Sequence, residues 1–271
     1  MRRAVALLFP LSFLLACRTP MPAVPLPADD PRPHVLLESL RERAEGRTAL
    51  RARAKLDLSS PDLRVSRPQR MAVARPLRLR VEVIGLFNQL AAILVTNGHV
   101  YQVYDARAAH LEEGIVSEGL LWRVARVDLS PSEAVDILLG APLPASGLST
   151  GSARIYADGG IAVDRHDAAG VVRQRFVFDT RGQLAVMESF DVAGDLAWRA
   201  RFSRYKKVPA PGGGDESFAF DVALDFPRVQ AEAHLSFKRV DLVRSLPDDL
   251  FILELPDRST RADPAGEETR L

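Results

Sequence analysis

The residue types that most often do chemistry are present but scattered. Gly147-Leu148-Ser149-Thr150-Gly151 matches the Gly-x-Ser-x-Gly nucleophile elbow, which needs a strand before the serine and a helix after it. Here Pro142 and Pro144 precede it and alternating β-type residues follow, so Ser149 is not expected to act as a nucleophile. His34, His99, His110, His166 and His234 include no pair spaced for one helix face and have no cysteine companions, so no zinc site is expected. Asp164, His166 and Asp167 cluster near a turn, where polar side chains are normally solvated. Gly212-Gly213-Gly214 does not join a strand to a helix and is no phosphate cradle. The arginines around Arg51 and Arg78 are interrupted by Asp57 and Glu82 and read as a solvated exterior. The expectation is a protein with no catalytic residues, no metal and no cofactor.

One residue has a marked context. Cys17 is the only cysteine, so it has no disulfide partner in this chain. Before it, Met1-Arg2-Arg3 and the apolar run from Ala4 to Ala16 have the layout of an export signal, too short to span a bilayer. Leu14-Leu15-Ala16-Cys17 resembles the lipobox recognised by lipoprotein signal peptidase. That resemblance implies removal of residues 1–16 and transfer of a diacylglycerol to the Cys17 thiol, small Ala16 leaving room for the peptidase. Arg18 stands where an aspartate would favour inner-membrane retention in enteric bacteria, which points to the outer membrane, periplasmic side. Losing Arg2 and Arg3 changes 36 basic against 35 acidic residues into 34 against 35, a net charge of −1. So neutral a chain offers no overall electrostatic case for nucleic acid or an anionic surface.

The elements follow from periodicity. Prolines 20, 22, 25, 27, 31 and 33 make residues 17–33 a lipidated, semi-rigid tether, and residues 257–271 read as a disordered polar tail. Residues 34–256 read as one domain. His34 to Glu45 has one apolar stripe and is predicted helical. From Leu50 the period becomes two, as in Leu50, Ala52, Ala54, Leu56 and Leu58 alternating with charged residues, then again from Leu77 to Val83. Asn97-Gly98 predicts a type I′ hairpin between Leu90–Thr96 and His99–Tyr104. Ser130-Pro131-Ser132-Glu133 predicts a capped helix ending at Gly140. A β-meander of seven strands follows, from Ala153 to Phe237.

About eleven strands thus carry one apolar face, which two or three short helices cannot fully cover. The sheet must curl into a strongly curved antiparallel half-barrel whose helices plug the apolar concave side. Leu56, Leu79, Val81, Phe176, Phe178, Trp198, Phe202, Phe220 and Phe237 are predicted to line that side, around an open cavity or as a filled core. The lipidated N-terminus, leading helix, strands from Arg51-Ala52-Arg53-Ala54-Lys55-Leu56, Asn-Gly hairpin and helix ending Gly140-Ala141-Pro142 come in the same order as in the LolA/LolB lipoprotein-localisation factors. The resemblance, over roughly Val35 to Phe237, is to the LolB-like outer-membrane members. It implies an acyl chain or lipidated protein as partner, held without catalysis by a monomer. It also implies that the stretch Ile84 to Leu90 is a membrane-insertion loop bearing Leu86 and Phe87, although Gly-Leu-Phe replaces the family's Pro-Leu-Gly. Set against this is the ordinary behaviour of hairpin hydrophobes, which fold back onto the sheet; that reading is preferred. Two alternatives stay open: a scaffold or stress sensor with the same fold, and an envelope hydrolase using Ser149.

Overall fold

The computed structural model describes residues 22–254. A three-residue strand β1 (Ala23–Pro25) precedes helix α1 (Arg32–Gly46). Six strands follow: β2 (Ala49–Ser59), β3 (Arg64–Ala74), β4 (Arg78–Ile84), β5 (Leu90–Asn97), β6 (Val100–Asp105) and β7 (His110–Ile115). Helices α2 (Leu120–Ala125) and α3 (Pro131–Leu138) follow β7. The chain then runs through β8 (Ser149–Tyr156), β9 (Ile161–His166), β10 (Val172–Phe178), β11 (Leu184–Phe190), β12 (Leu196–Pro209), β13 (Asp215–Phe226) and β14 (Ala231–Val243).

All fourteen strands form one antiparallel sheet in the order β1-β8-β9-β10-β11-β12-β13-β14-β2-β3-β4-β5-β6-β7. Its edges, β1 and β7, do not pair, so the sheet is a mainly β, curved half-barrel and not a closed one. The three strands beyond the expected eleven each have a physical reason. β3 contains Pro68, which argues against a central strand. Yet β4 pairs only with Gln69–Ala74, so Arg64–Pro68 has a strand on one side alone, where a missing N–H is tolerated. β7 lies at an edge, where Glu112 and Glu113 spoil the apolar alternation. β1 comes from the segment read as tether: Ala23–Pro25 pairs with Tyr156–Arg154, so the fold begins before residue 34.

Turn chemistry sets the meander. Asp167, Asp179 and Asp191 each accept backbone N–H bonds from residues two and four positions on. Gly170, Gly182 and Gly194, three residues after each aspartate, supply the positive φ. These turns recur every twelve residues, a strand and a turn per repeat. The expected type I′ turn at Asn97-Gly98 is not formed, because only Gly98 has positive φ. Instead Asn97 Oδ1 accepts the N–H groups of His99 and Val100, a side-chain-closed turn. The α3 capping box forms as the sequence predicts: Ser130 Oγ accepts Glu133 N–H, and Glu133 accepts Ser130 N–H at 2.8 Å.

Candidate functional site

The concave face is where the sequence places function. Leu37, Leu40 and Ala44 of α1, Leu121 of α2, and Val135 and Ile137 of α3 are buried in one core with the aromatic floor laid by β9–β14 and the inward residues of β2–β4. Seven of the nine predicted lining residues are buried in this core. Leu79, Phe176, Phe178, Trp198, Phe202, Phe220 and Phe237 are all at most 7 % exposed. The floor is packed by side chains, with Phe218 edge-on to Phe237 at 5.4 Å between centroids. Leu56 and Val81, the remaining two, are half-buried. They lie over β2–β6 at the margin of the same core, where Val65, Val83, Leu94 and Val103 are also half-buried. The apolar face is therefore closed over its β9–β14 half and open only in part over the other, where Leu50, Ala52, Val73 and Leu79 are buried in the same core and the six residues just named are half-buried. In the floor of the open half lies Gln69, 2 % exposed, whose side-chain oxygen has no hydrogen-bond partner. It sits across from Ala54 and Val83. A buried, unmatched acceptor on an apolar face is one that a ligand's N–H or O–H group would satisfy.

The open half leads to the loop between β4 and β5. Leu86 is 69 % exposed and Phe87 98 % exposed, so the preferred fold-back reading is overturned. The reason lies in the backbone. Phe87 has φ 59° and Asn88 φ 62°, which turn the chain outward. A bulky aromatic in the left-handed region is an outlier of the kind that concentrates at functional sites. Gly85 N–H to Gln89 carbonyl closes the base of the loop, and Arg70 Nη2 donates to Asn88 Oδ1 at 3.1 Å to brace its flank.

A second depression, of about 500 Å³, opens between α3, the segment Pro142–Ser146 and strands β10–β12. Glu133, Asp136, Ile137, Leu143, Met187 and Trp198 line it. Trp198 Nε1 donates to Glu133 Oε1 at 3.0 Å, tying the α3 cap to the floor. Asp136 takes Leu143 N–H and an ion pair with Arg75, yet burial holds its carboxyl above the ordinary carboxylate range. Arg75 also donates to the Ala44 and Ala141 carbonyls. Arg47, 2 % exposed, reaches the Gly140 and Ser217 carbonyls and Glu216. These two arginines fasten α1 and α3 to the sheet. Sequence reasoning missed both, since nothing local separates a buried arginine from an exposed one.

Ser149 opens strand β8, where an elbow would need a strand to end, and its Oγ donates to the His166 backbone carbonyl, not to the imidazole. Among the described residues no group of His, Cys, Asp and Glu is placed to hold a metal, and no helix is long and apolar enough to cross a membrane. Cys17 lies outside the described residues.

No protein-family model matches the chain, and no curated protein matches it. Solved structures do. An outer membrane lipoprotein-sorting protein domain from Vibrio parahaemolyticus is 13 % identical, with TM-score 0.53 over 80 % of this chain and 94 % of that one. A LolA superfamily protein from Nitrosomonas europaea is 12 % identical, with TM-score 0.50 over 80 % and 97 %. A DUF1329 family protein from Desulfovibrio piger is 12 % identical, with TM-score 0.53 over 82 % and 96 %. At these identities the likeness is one of fold.

Proposed function

We propose that this chain, which has the LolA/LolB-like fold, is a membrane-anchored lipoprotein binding acyl chains or lipidated proteins at the open half of its concave face. Lipidation at Cys17 would hold it on the periplasmic side of the outer membrane, in lipoprotein localisation or insertion. The observation that carries this reading is the exposed Leu86–Phe87 loop beside the partly open apolar stretch. Exposing two such side chains to water forgoes roughly 1.5–3 kcal/mol each relative to burial. A bilayer supplies the burial. The mechanism is differential burial without catalysis: at about 0.8 kcal/mol per methylene, an acyl chain binds yet stays exchangeable with a membrane. Leu86→Glu and Phe87→Glu, both at exposed positions, are expected to fold normally and lose lipid transfer; unchanged transfer in both variants overturns the reading.

The packed floor over β9–β14 favours a second reading, an envelope scaffold or sensor with the same fold and no cargo. Native mass spectrometry of protein purified without detergent separates the two. A co-purified lipid or acylated peptide supports the carrier, and a consistently empty protein supports the scaffold.

A further inference from the structure

The convex face carries an arrangement that the packing of the sheet does not require. Arg53 on β2 stands directly opposite Arg70 on β3 and directly opposite Arg239 on β14. Three arginines thus share one face in one cross-strand row, and like charges directly opposed destabilise a sheet. Counter-charges reach only the outer two. Glu82 lies 3.9 Å from Arg70 and 2.8 Å from Arg80, and Asp241 lies 2.8 Å from Arg239. Arg53 and its neighbour Arg51, one row along, make no ion pair or side-chain hydrogen bond among the described residues. These five arginines line one depression of about 490 Å³, with Glu82, Asp241 and Asp249 as its only acidic lining residues. The chain as a whole is near neutral, so this excess is local and built by register.

We infer that this groove is a phosphate-binding site whose ligand is the headgroup of an anionic phospholipid. Guanidinium forks match phosphate oxygens in pairs, and a row of them with one member unpaired is where a phosphate removes repulsion as it binds. The source of the phosphate follows from one contact: Arg70, the end of the row, donates to Asn88, the residue after exposed Phe87. A membrane that receives Phe87 therefore presents its headgroups to Arg70 and Arg53. The choice of source rests on the proposed membrane contact of the loop; the groove itself does not.

The test uses residues 18–271, which contain the whole described sheet, on phosphatidylcholine vesicles with and without phosphatidylglycerol. The wild type is expected to partition more strongly onto the anionic vesicles, an advantage that salt erodes. Arg53→Gln and Arg239→Gln, at exposed positions, should each lower that partitioning about five-fold while leaving the neutral vesicles unaffected. Arg53→Gln should also raise the thermal midpoint, because it relieves the row, a gain that a merely structural arginine would not give. Equal binding of the wild type to both vesicles, or an undiminished anionic preference in both variants, overturns the inference. Protection of the wild type by inorganic phosphate, absent in Arg53→Gln and without any vesicle preference, overturns the headgroup as source. Binding to neutral vesicles with no anionic preference defeats only this inference, whereas binding to anionic vesicles alone defeats only the insertion of the loop.

Discussion

Asp136 shows how a single half-buried group ties the cleft to stability. Its carboxyl is pushed up by burial against the pull of Arg75, so the folded protein holds that proton more tightly than the unfolded chain. The stabilisation this provides is complete below the ordinary carboxylate value and is lost as pH rises through the raised one. Asp136→Asn is therefore expected to flatten the dependence of the thermal midpoint on pH across that acidic window. Replacing Arg75 by Met leaves the carboxylate without its cation and is expected to destabilise by about 3 kcal/mol near neutral pH, read by urea denaturation. At the same scale the sequence was mute. Arg47 and Arg75 look like any of the surface arginines of β2 and β4, and only the carbonyls brought to them by Gly140, Ala141 and Ser217 distinguish them.

At the scale of elements, local signals were legible where they act over a few residues. The capping box at Ser130 and Glu133 forms as written, and Ser130→Ala is expected to cost about 1 kcal/mol, measurable by chemical denaturation. It should also loosen Trp198, whose indole N–H is held by the same Glu133, and tryptophan fluorescence would register that change. The twelve-residue recurrence of Asp167, Asp179 and Asp191 was equally present in the sequence, as aspartate three residues before glycine. β3 was not legible. Its pairing with β2 runs the full eleven residues, but Pro68 forbids that reading until β4 is known to stop at Gln69. The protruding loop lay between: its position was readable and its exposure was not, because the backbone at Phe87 and Asn88 decides which way the side chains turn.

For the whole molecule, the last described turn matters more than its position suggests. Phe251 packs on the convex face against Ala49, Ala72, Ala74 and Leu246, a second small core opposite the main one. Alanine at those outward positions is what lets the ring approach the sheet. Phe251→Ala is expected to cost about 3 kcal/mol, seen as a lowered denaturation midpoint, by uncovering apolar surface that no other element reaches. The same segment places Leu250 and Asp249 at the rim of the arginine groove, so its loosening would also reshape that site.

By itself the sequence determined the class of fold: alternation of apolar and charged residues over many strands, with helices too few to cover them, leaves a curled sheet as the solution. It also determined the α3 cap and the place of the Asn97-Gly98 turn, though not its type, because these depend on neighbours in the chain, and it carried the expectation of a lipid anchor at Cys17. Tertiary structure alone decided which part of the apolar face is filled, which arginines are buried and which stand in one row. Those are properties of register and of which helix lands where. They arise between residues tens to hundreds of positions apart, as Arg53 with Arg239, and no local pattern encodes them.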